Sequence, residues 1–260
     1  MNLYKKLSKK SFAVYGLGIT GASVINYLKK LKVKKLNVWD DNKNKRFKFK
    51  NLIGKKSFSK ILKASDYIVL SPGVNFNNSK FKRQLIKNRK KIITDLDLFY
   101  NQNPKGKTIV VTGTNGKSTT CKIIEHVLKK NKKPVQIGGN IGKPVLNLNT
   151  NKRSFFIIEA SSFQLAYSNI IKPNFALILN ISRDHLDWHG SYKKYVDAKL
   201  KIFRNQDRND YALLNNKKLI KIFKKNKNLG KLKIVPKKSA YKFKNEINNK
   251  HLSLKSNEEN

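Results

Sequence analysis

Thr108-Ile-Val-Val-Thr-Gly-Thr-Asn-Gly-Lys-Ser-Thr119 reads as an apolar strand, a glycine-containing loop and the opening of a helix that runs to about Lys130. Backbone N–H groups in such a loop, here Gly113, Thr114, Asn115 and Gly116, point into an anion at the positive end of the helix. Lys117 can reach the outer phosphates, the Ser118 hydroxyl can ligate a phosphate-bound Mg2+, and Thr119 completes the motif. The spacing departs from GxxxxGK[ST], because Val111 stands at the first glycine position and the glycine is displaced to 113. The segment is a variant phosphate loop, and its strand and helix flanks point to a bound nucleoside triphosphate.

Working outward toward the carboxyl end, strands are expected at Phe155–Ile158, Phe175–Asn180 and Tyr211–Leu214, with a helix over Tyr192–Phe203. Glu159 ends the first of these strands, where a doubly wound parallel sheet places a hard-oxygen ligand for a phosphate-bound cation. Ser-Arg-Asp-His-Leu-Asp-Trp-His189 follows the second, bringing His185 to the same edge as a metal or phosphate ligand, or as an ordinary packed histidine. In the helix, Tyr192, Tyr195, Val196 and Phe203 make an apolar stripe; Lys199 falls on it, while Lys193, Lys194 and Lys201 lie off it. Burial there favours a neutral amine, which reacts with carbon dioxide to give a carbamate, an oxygen ligand for metal. The plainer alternative is a lysine whose stem packs while its head reaches solvent. From Lys217 the pattern decays into lysine- and asparagine-rich segments with short alternating stretches at Tyr241–Phe243 and His251–Leu254, and no final element is expected.

Toward the amino end, Ser11–Tyr15 is a buried strand and Gly16-Leu-Gly-Ile-Thr-Gly21 a glycine turn opening a helix to about Leu31. The next strand, Leu36–Trp39, ends at Asp40. A diphosphate on the helix N-terminus and a carboxylate accepting from a ribose hydroxyl explain that arrangement, with Gly16, Leu17, Gly18, Thr20 and Gly21 as the cradle. NAD is the plain occupant, but the cradle does not reveal which nucleotide it holds. Further strands are expected at Tyr67–Leu70 and Lys91–Thr94, and helices near Ser57–Lys63 and Asn78–Asn88. The turn-rich segment Asn101–Gly106 separates a Rossmann-like domain over residues 1–100 from a P-loop-type, doubly wound α/β domain over residues 101–260.

Composition excludes several classes. Hydrophobic residues are 39% of the 260, enough for an ordinary core, and no apolar run approaches a membrane span. The single cysteine, Cys121, cannot form an intrachain disulfide, and no export signal precedes Ser11, so the cytoplasm is the expected compartment. The 58 Lys+Arg against 15 Asp+Glu give a net charge of +43. Only 7 of the 58 are arginines, and the lysines spread along the whole chain beside abundant Asn and Ile. That is a compositional drift toward A/T-rich codons rather than the mark of a specific nucleic-acid partner.

The series TGTNGKST, GGNIG at 138–142, IEASSFQL at 158–165, RDHLDWHG at 183–190 and YVDAKLKIF at 195–203 resembles, in order and spacing, the ATP-binding domain of the Mur ligases of peptidoglycan synthesis. SSFQL, GLGITG and the SPGV at 71–74 resemble the D-glutamate-adding branch of that family. The resemblance covers nearly all of residues 10–215. It implies that the first domain holds the UDP of UDP-N-acetylmuramoyl-L-alanine rather than NAD, with GLGITG on the diphosphate and Asp40 near the nucleoside. Ser71, Pro72, Gly73 and the Thr94–Asp97 segment, Asp95 included, would lie along the substrate path. Lys117 and Ser118 would serve ATP and Mg2+, Asn140 and Glu159 the metal and phosphates, and Ser161 and Gln164 the muramoyl side. His185 and a carbamylated Lys199 would serve a second metal. The implied reaction activates the alanyl carboxylate by phosphorylation and adds D-glutamate, in a protein expected to be a monomer with no nucleic-acid or membrane partner.

The family's carboxyl-terminal domain and its HNxxN-type motif have no counterpart, since no His-Asn pair occurs and the chain ends at Asn260. The chain is therefore expected to be a truncated ligase or a fragment with an incomplete central domain, binding nucleotide without turnover. A dehydrogenase built on GLGITG leaves the phosphate loop and Glu159 unexplained. A nucleotide-binding module that has lost turnover is the other alternative.

Overall fold

The computed structural model of the chain describes residues 7–235. Its first part builds β1 (Ser11–Tyr15), α1 (Ile19–Lys30), β2 (Lys35–Trp39), α2 (Lys43–Phe47), α3 (Phe58–Ala64), β3 (Tyr67–Leu70), α4 (Lys82–Lys87) and β4 (Ile92–Ile93). The strands form a parallel sheet in the order β2-β1-β3-β4. Alternation along β1 sends Phe12 and Val14 to the face covered by Val24, Ile25 and Leu28 of α1, and Ala13 and Tyr15 to the face covered by Phe58 and Leu62 of α3 and Leu85 of α4. Both faces are dry, which is why the strand reads as a continuous apolar run.

α5 (Asp95–Asn101) then leads to β5 (Lys107–Thr112), α6 (Lys117–Lys130), β6 (Val135–Gly139), β7 (Phe155–Glu159), α7 (Ser162–Tyr167), β8 (Phe175–Ile178), α8 (Leu186–His189), α9 (Tyr192–Leu200), β9 (Tyr211–Leu214), α10 (Lys217–Lys225) and β10 (Lys231–Ile234). The second sheet is also parallel, ordered β10-β9-β8-β5-β7-β6. The chain leaves β5 for β6 on one side and later returns to β8 on the other. That topology opens a crevice at the carboxyl end of β5, where the phosphate loop begins.

Several expectations need correction. Lys217–Lys225 is a helix: Leu219 and Phe223 bury one face, and Asn216 caps it by accepting from the Lys218 and Leu219 N–H groups. β10 follows, in parallel register with β9. Lysine at most other positions hid the i, i+4 spacing. β6 was not anticipated because Val-Gln-Ile-Gly-Gly has only two large apolar residues; its ladder with β7 defines it. The expected helix over 78–88 shrinks to α4, since Asn75 and Ser79 side chains accept from Asn77, Asn78 and Phe81 N–H groups and hold the preceding stretch as turns. The helix from Tyr192 gives way to a 3-10 turn at Lys201–Phe203. The stretches at Tyr241–Phe243 and His251–Leu254 lie outside the described residues.

A seam of buried polar groups joins the two sheets. Asp97 accepts from the Thr94 N–H at 2.9 Å, and across the seam from the N–H groups of Asn169 at 2.7 Å and Ile170 at 2.9 Å. The Thr94 and Ser168 hydroxyls lie 2.7 Å apart, and the Gln164 amide donates to both oxygens of Asp95 at 3.0 and 3.1 Å. Apolar packing follows the same line, with Leu98 of α5 in the first core and Leu96 and Phe99 in the second.

Burial, with Asp97 close by, pushes the Asp95 carboxyl up to about 6. The folded chain thus holds that proton more tightly than the unfolded chain. Stability from this group is full below the unfolded value near 4 and is eroded as pH rises to about 6. Asp95→Asn keeps an acceptor for Gln164 and removes the titration. The thermal midpoint of the original chain should fall relative to that of the variant between about pH 4 and about pH 6, then run parallel. Parallel curves throughout would show that Asp95 titrates normally.

Candidate functional site

The turn after β1 is shaped by two glycines. Gly16 has φ +96°, and a Cβ there would lie 2.7 Å from that of Ser71. A Cβ on Gly21 would lie 1.9 Å from the Gly16 carbonyl oxygen, so the helix starts against the turn with no room for a side chain. Ser71 locks the same carbonyl from the side by donating at 2.8 Å. Gly18 differs: φ is −70° and a Cβ would meet nothing within 4 Å. It faces a cleft of about 440 Å³, bordered by Thr20, Asp40, Ser71, Pro72 and Gly73 on the first sheet's side and by Asn140 and Gln164 on the second's.

Not every expected residue reaches that cleft. Leu17 packs in the first core, and its N–H donates to Asp40 at 2.7 Å. The other Asp40 oxygen accepts from the Asn42 N–H at 2.9 Å, so this carboxylate braces the loop as well as bordering the cleft. Thr94 and Asp95, 1% and 2% exposed, take part in the seam and do not border the cleft. Ser161 caps α7 in a reciprocal box with Gln164, accepting from the Gln164 N–H at 3.3 Å while Gln164 accepts from the Ser161 N–H at 3.1 Å. That box aims Gln164 at both Asp95 and the cleft.

The phosphate loop lies at the next sheet edge. Gly116, at φ +81°, turns the chain into α6. Asn180, after β8, fixes the loop from beside it: its side chain accepts from the Asn115 N–H and its carbonyl from the Thr114 N–H, each at 2.9 Å. The Thr114 and Tyr195 hydroxyls are 2.9 Å apart. Lys117 curls back onto the loop, donating to the carbonyls of Gly113 at 3.0 Å and Thr114 at 2.8 Å. Glu159 is buried and bridges two loops, accepting from the Ser118 hydroxyl at 2.7 Å and the Asn140 amide at 2.9 Å. Thr119 occupies the first turn of α6.

Lys199 is 2% exposed, with its ammonium nitrogen 2.7 Å from the Gly113 carbonyl, 3.4 Å from the Thr112 hydroxyl and 4.8 Å from the Tyr195 ring centre. Burial, aided by the charge on Lys117, pushes it down to about 7. His185 sits on an exposed turn at φ +51°, 3.3 Å from Asp184 and with its ring against Phe163. Of the four residues expected as metal ligands, Ser118 and Glu159, expected at one cation, are hydrogen-bonded to each other, whereas His185 and Lys199, expected at a second, keep separate partners. Among the described residues no group of three or more His, Cys, Asp or Glu side chains gathers as a ligand set.

Sequence reasoning passed over His189, one turn beyond His185. It is buried, with Nε2 3.0 Å from the Ser162 hydroxyl, and burial together with nearby Lys199 pushes it down to about 4, leaving a neutral imidazole. Its neighbour Trp188 donates to the Val74 carbonyl and accepts from the Asn77 amide, tying the second sheet's edge to the first sheet's SPGV loop. His189 stands four residues after His185, but nothing in that spacing distinguished an orienting histidine from a packed one.

Two family models match the chain: the Mur ligase middle domain over residues 111–260 and the Mur ligase MurD-like N-terminal domain over residues 10–94. A UDP-N-acetylmuramoylalanine–D-glutamate ligase of Rickettsia prowazekii (strain Madrid E) is 38% identical over 219 residues, which are 83% of this chain and 48% of that protein. One from Thermosipho africanus (strain TCF52B) is 36% identical over 264 residues, 96% of this chain and 60% of that protein. The chain thus spans about half the length of the curated relatives it matches. Among solved structures, the UDP-N-acetylmuramate:L-alanyl-gamma-D-glutamyl-meso-diaminopimelate ligase from Neisseria meningitides shares the fold, with a TM-score of 0.52 at 15% identity over 87% of this chain and 78% of that one.

The glycine turn yields a sharp contrast. Gly21→Ala should destabilise the chain by about 3 kcal/mol, because backbone must move. Gly18→Ala should cost under about 1 kcal/mol in urea unfolding, and, where the turn seats a diphosphate as the sequence leads one to expect, it should weaken UDP binding roughly tenfold, since the methyl projects into the cleft. Equal stability of the two variants would contradict the assignment.

Proposed function

The chain belongs to the Mur ligase family, and from that premise we propose that it serves the ATP-dependent joining of D-glutamate to UDP-N-acetylmuramoyl-L-alanine. The observation that carries the reading is the continuity of the cleft, which runs from the first glycine turn to Asn140 and Gln164, beside the Ser118–Glu159 pair. A UDP-sugar diphosphate seated at Gly18 would extend its acyl end toward the phosphate loop. A dehydrogenase would leave that second half of the cleft without work. The proposed protein acts in the cytoplasm; among the described residues no helix is long and apolar enough to cross a membrane.

In the proposed reaction the alanyl carboxylate attacks the γ-phosphorus of ATP, the bond to ADP breaks, and an acyl phosphate forms. The D-glutamate amine then adds to the acyl carbon, loses a proton, and phosphate departs as the amide forms. Both first reactants are anions, so positioning and charge neutralisation carry the acceleration. Lys117 leaves its two loop carbonyls for the phosphates, and the N–H groups at the start of α6 hold them, since two of the expected loop donors, Thr114 and Asn115, are engaged by Asn180. Ser118 and Glu159 are suited to one Mg2+, whose chemistry is to neutralise phosphate charge and polarise the transferred phosphoryl group. Neutral Lys199 amine is suited to carbamylation: a nitrogen–carbon bond forms to carbon dioxide and a proton is lost, while the remaining N–H keeps the Gly113 carbonyl as acceptor. The product carries the oxygens that a second cation would need.

Lys117→Ala should weaken ATP binding about ten- to a hundredfold, the range expected for one charge-assisted phosphate contact. Lys193→Ala, which removes the same charge from an exposed site, should change it little. Calorimetric titration decides, and equal losses would assign binding to general basicity. The same method with UDP-N-acetylmuramoyl-L-alanine and NAD tests the first sheet; tight NAD binding without the uridine ligand would sink the ligase reading. Lys199→Ala should abolish metal-dependent ligation in a protein of the relatives' full length, with partial rescue by short carboxylates, and an unmodified Lys199 in a metal-bound structure would exclude the carbamate.

A further inference from the structure

A second concavity lies on the seam and shares no lining residue with the cleft. It measures about 450 Å³, within the range of small-molecule sites. Lys87, Arg89 and Lys90, at the end of α4 and the turn after it, face Lys201, just beyond α9, across a floor that includes Ile92 and Tyr167. No carboxylate borders it. Among the described residues none of these four cations takes part in an ion pair. Lys201 donates to the Ala166 carbonyl and is attracted by Asp97, which lies deeper and is already occupied by three backbone N–H groups.

General lysine enrichment does not account for this site. The chain has only seven arginines, and two of them, Arg89 and Arg204, act on Lys201. Burial, with those two guanidinium groups, pushes Lys201 down to about 8 against the pull of Asp97. Cations gathered with only one deeper, already hydrogen-bonded carboxylate behind them repel one another, and a multivalent anion relieves that cost. The pocket's concavity and its tyrosine wall fit a compact molecule rather than an extended strand.

We propose that this pocket binds a small phosphate-bearing molecule through its diphosphate group, held by Arg89, Lys90 and Lys201 with the rest of the ligand against Tyr167 and Ile92. Arg89, Lys90 and Ile92 come from the first sheet's side, Lys201 and Tyr167 from the second's. Occupancy therefore braces the seam from outside the cleft. The site is independent of the ligase reading and stands or falls without turnover.

Inorganic pyrophosphate is titrated calorimetrically into Lys117→Ala protein, which removes the phosphate-loop lysine, at near-physiological chloride. Arg89→Ala/Lys90→Ala in that background should weaken binding about tenfold or more, and Arg89→Lys by a smaller factor, since the fork is lost and the charge kept. Lys224→Ala/Lys225→Ala, an equal charge loss on exposed α10, should alter it by less than roughly twofold. Displacement by UDP or ADP that disappears with Arg89 marks the diphosphate as nucleotide-borne, whereas pyrophosphate binding without displacement marks it as free; either supports the site. Equal loss in the two double variants, binding indifferent to Arg89 and Lys90, or no pyrophosphate binding at millimolar concentration would overturn it.

Discussion

Asp95 and Asp97 sit in the first turn of α5 with almost no access to water, and groups across the seam supply most of their solvation. An unsatisfied buried carboxylate costs several kcal/mol, so the sheets settle where the Asn169 and Ile170 N–H groups and the Gln164 amide meet these oxygens. Gln164 makes the arrangement cooperative. It caps its own helix with one end, holds Asp95 with the other, and borders the cleft. Moving one sheet against the other would break the seam and open the cleft wall together, which gives the cleft a shape set before any ligand arrives.

Parallel strands supply the rest of the geometry. Each sheet sends its loops off the carboxyl ends of its strands, and each has a strand, β1 or β5, from which the chain departs to opposite sides. Glycine turns follow both strands, and in both a helix begins at once, leaving free N–H groups at its positive end. The two turns are finished differently. The first is braced by Asp40 through the Leu17 N–H, so part of its donor capacity is spent inside the protein. The second spends the Thr114 and Asn115 N–H groups on Asn180 and keeps Lys117 folded onto its own carbonyls.

The sequence was most legible where the local pattern and the global fold demand the same residues. β1, β5 and β7 are buried on both faces and read as apolar runs; the glycine turns require conformations or clearances that few side chains allow. Lys199 was legible because its helical stripe is apolar, and the structure places it 2% exposed. Elsewhere local pattern was silent. β6 is a strand because β7 pairs with it, and α10 is a helix whose apolar face is two core residues among lysines. The burial of Thr94 and Asp95 could not be read at all, since a polar pair at a helix start looks alike on a surface and in a seam. His189 escaped for the same reason: its significance lies in Ser162 and Phe163, which only the fold brings to it.

The Gly113 carbonyl links the two lysines most concerned with the phosphates. It accepts from Lys117 at 3.0 Å and from Lys199 at 2.7 Å, two like charges held on one oxygen with little solvent between them. Their repulsion adds to burial in keeping Lys199 close to neutral at about 7. In the proposed reaction Lys117 would turn to a phosphate, so that the carbonyl would lose one donor and the site gain negative charge, and both changes would favour protonation of Lys199. One backbone oxygen thus stands between the two amines, and the surroundings of each depend on where the other points.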